Sequence, residues 1–270
     1  MNDQSRRIGL LAGLGEVPVY FADRAMHNGI RIVSVAFTDE IHSQLMPFVE
    51  RGYFIGLGKM GKIFQTFRDE GITDLVMLGK VDKSVIFRPE LFDLRALKVL
   101  KQLVTREDKT LLLAAIHEME REGFHVLDQR EILTELFPAE GQLTRRKPSK
   151  QEMEDIRFGL PIAKQLADME IGQTIVVKNK TVVAVEAIEG TDRALERGCE
   201  LSGGKCVVVK VSRTGQDYRY DVPGIGPRTL ELMAEGGASV LALEAGGIMV
   251  VDQPKVVGMA DRADIAMVCV

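Results

Sequence analysis

The sequence predicts an α/β protein of two domains, an N-terminal Rossmann-like parallel domain and a C-terminal mixed-sheet domain, with a substrate cleft between them. Three observations lead to that class. In the first half, short apolar runs at residues 7–14, 30–37 and 74–78 alternate with segments of helical periodicity, the pattern of βαβ units. In the second half, two β-branched runs flank Lys178-Asn179-Lys180, a hairpin signal that makes 174–177 and 181–185 an antiparallel pair. Between the halves, FPAEGQLTRRKPSK (137–150) replaces core pattern with Pro, Gly and basic residues, so the expected domains are 1–141 and 142–270.

Composition sets the outer limits. A chain of 270 residues with 46% hydrophobic content has ample material for buried cores. A net charge of −4 provides no global field for nucleic acid, which is not an expected partner. Three cysteines with no C-x-x-C spacing argue against a disulfide framework and a zinc site, which fits a cytoplasmic setting. No run approaches the roughly 18 apolar residues of a membrane span; any membrane contact is expected to be peripheral.

The first element is a strand leading through Gly13-Leu14-Gly15-Glu16-Val17-Pro18 into a helix. This loop begins like G-x-G-x-x-G but has Pro at the third position, so Gly13 and Gly15 either admit a phosphate or simply form a tight turn. The second strand, 30–37, completes a βαβ unit. GLGKMG (56–61) then sets Lys59 and Lys62 beside a glycine-rich helix start, a pattern that suits an anion and equally suits a solvated loop. The third strand, 74–78, exits through Gly79-Lys80-Val81-Asp82, and residues 91–122 are helical before an extended 123–126.

Beyond the boundary, residues 152–169 form an amphipathic helix leading to the hairpin. The run 181–185 reads as a short core strand, with Glu186 and Glu189 at its exit, Gly190 at the turn and Thr191 as N-cap of a helix opening on Asp192 and Arg193. Further strands are expected at 207–211, 240–243 and 248–251, with a short helix at 229–235. Charge follows several of these strands: Gln216, Asp217, Arg219 and Asp221 after one, Glu244 after another. The turn Asp221-Val222-Pro223-Gly224-Ile225-Gly226 would hold the Asp221 carboxylate in a fixed direction. Clustered carboxylates with Lys210, Arg213 and Arg219 nearby point to a phosphate ester and a hard cation, Mg²⁺ or Mn²⁺; the competing reading is a set of surface salt bridges.

Six stretches in order, AGLGEVP, GKMGKIFQTFRDEGITDLVMLGKV, ADMEIGQTIVV, AVEAIEGTDRALERG, VVVKVSRTGQDYRYDVPGIG and LEAGGIMVVD, resemble the LpxI-type UDP-2,3-diacylglucosamine pyrophosphatases of lipid A synthesis. The resemblance spans residues 8–252. It implies hydrolysis of a diacylated UDP-sugar, with water attacking the α-phosphorus to give UMP and 2,3-diacylglucosamine 1-phosphate, a divalent cation, a homodimer, and a cytoplasmic protein peripheral to the inner membrane. The family's functional aspartate falls on Asp221, and its EGTD acids fall on Glu189 and Asp192. These three are the expected catalytic residues and metal ligands. The expected substrate contacts are Gly13, Gly15, Lys59, Lys62, Lys80, Thr191, Arg193, Lys210, Gln216, Asp217 and Arg219. At Lys83-Ser84 the sequence departs from the family's Arg-Pro, which leaves the N-domain contacts open.

Other readings lead elsewhere. The four histidines, His27, His42, His117 and His125, lie in the first half without an Asp-x-His pattern, against a histidine-built two-metal centre. A non-catalytic nucleotide-sugar or lipid sensor would use the Gly13 and Gly58 loops for binding, and a Rossmann dehydrogenase would use Asp39 for ribose but is weakened by Pro18.

Overall fold

The computed structural model describes residues 6–81, 88–102 and 108–270. The chain divides into two units, Met1–Ile132 and Leu133–Val270.

In the first unit the chain runs β1 (Arg7–Ala12), α1 (Glu16–His27), β2 (Arg31–Ala36), α2 (Asp39–Leu45), β3 (Arg51–Phe54), α3 (Met60–Asp69), β4 (Asp74–Leu78), α4 (Leu94–Gln102), α5 (Asp108–Arg121), β5 (His125–Val126) and α6 (Gln129–Ile132). The five strands are all parallel, in the order β3-β2-β1-β4-β5. The chain thus winds outward from β1 to β3, then crosses back to β4, the doubly wound topology expected of alternating β and α patterns. β1 and β2 are buried along nearly their whole length, as a parallel sheet covered on both faces requires. Phe64 and Phe67 of α3 pack against Phe124 with ring centroids 5.7 and 6.3 Å apart.

Two elements here have little signal in the sequence. β3 keeps Arg51 and Phe54 exposed, so it lacks the apolar run that marks β1 and β2. α2 is only seven residues long and starts where Thr38 Oγ1 accepts a bond from the Ile41 N–H at 3.4 Å.

The second unit runs β6 (Gly141–Gln142), α7 (Lys150–Asp168), β7 (Thr174–Lys178), β8 (Thr181–Val185), α8 (Thr191–Ser202), β9 (Val207–Lys210), β10 (Gly224–Ile225), α9 (Pro227–Glu235), β11 (Val240–Leu243), β12 (Met249–Val250), α10 (Gln253–Arg262) and β13 (Ala266–Cys269). Its main sheet is mixed, in the order β6-β13-β11-β9-β7-β8, while β10 and β12 form a separate parallel pair. Strand alternation sorts the core into two layers. Val176, Val208, Leu241 and Met267 face Leu195, Leu230, Met233 and Val256 of α8–α10. Ile175, Val177, Val209, Ala242 and Val268 face Ile156, Ala163 and Ala167 of α7. Ser149 and Glu152 close a reciprocal capping box at the start of α7.

The chain divides at 132/133, and Phe137 of the second unit packs against Tyr218 with ring centroids 6.0 Å apart. Gly141–Gln142 likewise pairs with β13. The run 181–185 is an edge strand rather than a core strand: β-branched residues favour the pleat, but only Ala184 is fully buried. Past residue 251, α10 and β13 complete the unit, and β13 lies inside the sheet as a four-residue apolar run.

Candidate active site

Sheet topology gathers the polar residues of the second unit at one rim. β9, β11 and β13 are parallel and end together at Lys210, Leu243 and Cys269. β7 runs against β9, which sets Thr174 opposite Lys210, and the hairpin register brings the exit of β8 to the same edge. Segments 173–174, 186–192, 210–221 and 244–247 therefore meet where ligands collect in α/β folds, beyond the carboxyl ends of the parallel strands.

At the floor of this rim lies Lys210, 4% exposed. Its ammonium donates to Thr174 Oγ1 at 3.0 Å and Thr191 Oγ1 at 3.1 Å, with Glu186 Oε2 at 3.9 Å. Burial pushes this lysine below its ordinary range, and the negative charges of Glu186 and Asp192 offset part of that shift. Thr191 Oγ1 in turn donates to Glu186 Oε1 at 2.7 Å. The expected N-cap role of Thr191 is therefore corrected. Gly190 is the cap, with φ 82°, and the threonine hydroxyl is committed to Glu186 and Lys210.

Further out, Gln173 N–H donates to Glu186 Oε2 at 3.3 Å and Gln173 Nε2 to Gln216 Oε1 at 3.2 Å. Arg213 Nε shares that same oxygen at 3.1 Å, and Gln216 Nε2 donates to the Asp221 carbonyl at 3.0 Å. Arg213 also faces the Asp221 carboxylate at 3.3 Å and Glu170 at 3.6 Å. Asp221 is in the left-handed region at φ 48° with a side chain 69% exposed, so a strained backbone presents this carboxylate outward.

The loop carrying Arg213 is itself fixed from below. Glu244 accepts from Lys164 Nζ at 2.6 Å and from the Ser212 N–H and hydroxyl at 2.7 and 2.8 Å. Burial works against this ionised carboxylate, but those bonds win and hold its pKa below the usual range. Asp168, at the end of α7, accepts from Thr214 N–H and Oγ1 at 2.6 and 2.7 Å.

Gln216, Lys210, Thr191 and Asp221 thus belong to one connected group. Glu189 does not join it: its carboxylate turns onto Arg197 of α8 at 2.7 Å. Asp217 and Arg219 are bonded to each other at 2.7 Å, which lowers the Asp217 pKa. Asp192 and Arg193 are exposed in the first turn of α8, where the acid suits the helix dipole. Among the described residues, no group of three or more His, Cys, Asp or Glu side chains is placed to hold a metal ion. Of the expected Glu189–Asp192–Asp221 ligand set, Glu189 is turned onto Arg197 and Asp221 faces Arg213.

Sequence reading overlooked Gln173, Thr174, Lys164 and Asp168. The first two were within reach: once the hairpin is placed, the start of β7 must sit beside the exit of β8.

In the first unit, a Cβ on Gly13 would lie 2.3 Å from the Lys80 carbonyl oxygen, and Leu14 exchanges backbone bonds with Lys80 at 2.7 Å in both directions. Gly13 thus admits a strand-exit contact within the unit. Gly15, with φ 111°, precedes the first turn of α1 without a side-chain cap. At Lys59 and Lys62 the Gly61 N–H in the first turn of α3 already binds Asp93 Oδ2 at 2.7 Å, while Asp93 Oδ1 accepts from the Ala96 N–H at 2.9 Å. One carboxylate therefore serves two helix starts. Asp93→Ala is expected to cost about 1–2 kcal/mol, read as a lower urea midpoint, and an unchanged midpoint would contradict the double cap. The predicted departures at Lys83-Ser84, and Asp82, lie outside the described residues.

The fold and rim define a two-unit α/β protein whose C-terminal sheet ends in a connected polar cluster. Residues 7–136 match the LpxI N-terminal domain model and residues 139–268 the LpxI C-terminal domain model, so the chain belongs to the LpxI family. It is 34% identical over 269 residues to the UDP-2,3-diacylglucosamine pyrophosphatase LpxI of Caulobacter vibrioides, covering 95% of this chain and 94% of the relative. Among solved structures, glycinamide-RNase-transformylase T from Mycobacterium tuberculosis gives a TM-score of 0.26 at 16% identity, over 68% of this chain and 44% of that one, too slight a likeness to argue from.

Proposed function

We infer that this chain is a hydrolase that cleaves the pyrophosphate bond of UDP-2,3-diacylglucosamine in lipid A biosynthesis. The carrying observation is the near full-length identity to a pyrophosphatase of that name, together with matches to both family domains.

The finer chemistry is a proposal. Water attacks the α-phosphorus and its oxygen bonds there. The bond from that phosphorus to the bridging oxygen breaks, and UMP leaves 2,3-diacylglucosamine 1-phosphate behind. Asp221 orients the water and takes its proton, as an outward carboxylate on a fixed turn is suited to do. Arg213, beside it, offsets charge on the phosphoryl oxygens. Mg²⁺ usually needs only one or two carboxylates plus substrate phosphates, so a cation arriving with the pyrophosphate remains part of the proposal. Chelation would abolish turnover and added Mg²⁺ or Mn²⁺ would restore it.

For the two acyl chains, exposed apolar side chains beside the rim are available: Ile188 at 105%, Met169 at 69% and Ile171 at 41%. No helix among the described residues is long and apolar enough to cross a membrane, so contact with the bilayer that holds the substrate would be peripheral. The homodimer implied by the resemblance is open to light scattering.

Turnover in ¹⁸O-labelled water tests the central reading. The expected result is one ¹⁸O in UMP and none in the sugar phosphate. Label in the sugar phosphate would move the attack to the β-phosphorus, and tight binding without UMP release would replace the enzyme by a sensor.

A further inference from the structure

We propose that the buried Lys210 and the partly buried Glu186 form a positioning pair that sets the catalytic loop through Gln173 and Gln216, and that Lys210 does not contact the substrate. The proposal rests on the pyrophosphatase reading and on Asp221 as the reacting carboxylate.

Burial is the first argument. At 4% exposure the ammonium is out of reach of a phosphate, and two of its three donors are already spent on Thr174 and Thr191. The position follows Val207, Val208 and Val209 in β9, all buried. An aliphatic residue would complete that strand without the cost of desolvating two charges, a cost that replacement of buried ion pairs by apolar residues often removes. A charged pair placed at the end of such a strand points to another role.

Connectivity supplies that role. From Lys210 the bonds pass to Thr191 and Glu186, from Glu186 to the Gln173 N–H, from Gln173 Nε2 to Gln216, and from Gln216 to the Asp221 carbonyl. The first four bonds each cross to a different segment, joining the β9 end, the α8 start, the β8 exit, the β7 entry and the 213–221 loop, and the last lies within that loop. Donors and acceptors match throughout. Thr191 Oγ1 donates once and accepts once, and Gln216 Oε1 uses two lone pairs for Gln173 and Arg213. The left-handed backbone at Asp221 needs such external support to persist.

Three variants test this: Lys210→Met, Glu186→Gln and the two combined, each assayed for UMP release and thermal unfolding. Glu186→Gln leaves a buried ammonium uncompensated and is expected to be the least stable. The double variant is neutral and packed, so its melting temperature should recover well above that of Glu186→Gln while kcat stays roughly 10²-fold below wild type, the size of loss a misplaced catalytic group produces. KM should remain within about threefold, because binding energy is not what is lost. A double variant that regains kcat along with stability would reduce the pair to a structural role. A KM that rises tenfold or more with kcat intact would make Lys210 a substrate contact. Should Lys210→Met fail to fold, Thr191→Val removes the hydroxyl bridge without touching a charge, and the same fall in kcat at steady KM is expected, an unchanged kcat refuting the proposal. Failure of the wild-type chain to release UMP would instead sink the pyrophosphatase reading itself.

Discussion

Asp221→Asn is expected to lower kcat for UMP release by roughly 10²–10⁴-fold, the range of a lost general base, with the thermal midpoint unchanged. The argument is geometric. The side chain is 69% exposed, so no core contact depends on it, and asparagine tolerates the left-handed backbone about as well as aspartate does. Gln216 bonds to the backbone carbonyl of Asp221 rather than to its carboxylate, so that support survives the substitution. The Arg213 interaction weakens, and at an exposed carboxylate such a pair contributes little to stability. Loss of turnover with folding intact would therefore isolate the carboxylate's chemical role. Turnover within a few-fold of wild type would return the search to Asp192, the exposed acid nearest in sequence to the Lys210–Glu186 pair. Because the rate loss sits in kcat, single-turnover measurement under saturating substrate is the cleanest check.

How much of this was legible beforehand varies with the physics of each element. The parallel first unit was legible because both faces of its sheet are covered, so β1, β2 and β4 appear as mostly apolar runs without polar alternation. The hairpin was legible from Lys178-Asn179-Lys180, where Asn179 and Lys180 do take positive φ. β3 and β6 were not, since short edge strands carry no periodic signal. In the site, the segments were recognisable but the pairings were not. Nothing in EAIEGTD (186–192) distinguishes Glu186, which turns inward to Thr191, from Glu189, which turns outward to Arg197. That difference depends on the path of the chain after Val185, which three dimensions settle. Asp93 escaped notice for a related reason: its partner Gly61 is distant in sequence, so the lysine-flanked turn looked open to an anion when a carboxylate of the same unit already occupied its amide.

Gly172→Ala should be among the most damaging single-methyl changes in the second unit. A Cβ there would fall 2.0 Å from the Glu186 carbonyl oxygen and 2.6 Å from its carbon, contacts with backbone that no side-chain rotation can relieve. The residue is outside the left-handed region, so alanine meets no dihedral penalty and the whole effect is steric. Either the entry to β7 or the exit of β8 must move. Overpacking of this kind typically costs about 1–3 kcal/mol, which a urea midpoint will show. The functional loss should exceed the share that stability explains. Gln173 follows directly, and its N–H bond to Glu186 and its amide bond to Gln216 both start from the displaced segment. A shift of about 1 Å in a positioning group costs on the order of 10² in rate, so the folded fraction of Gly172→Ala should be slow as well as fragile. Assay at a urea-free temperature where the variant is fully folded separates the two effects. Wild-type kcat there would show that the approach of 172 to 186 serves folding alone and that the route from Glu186 to Asp221 does not govern the reaction.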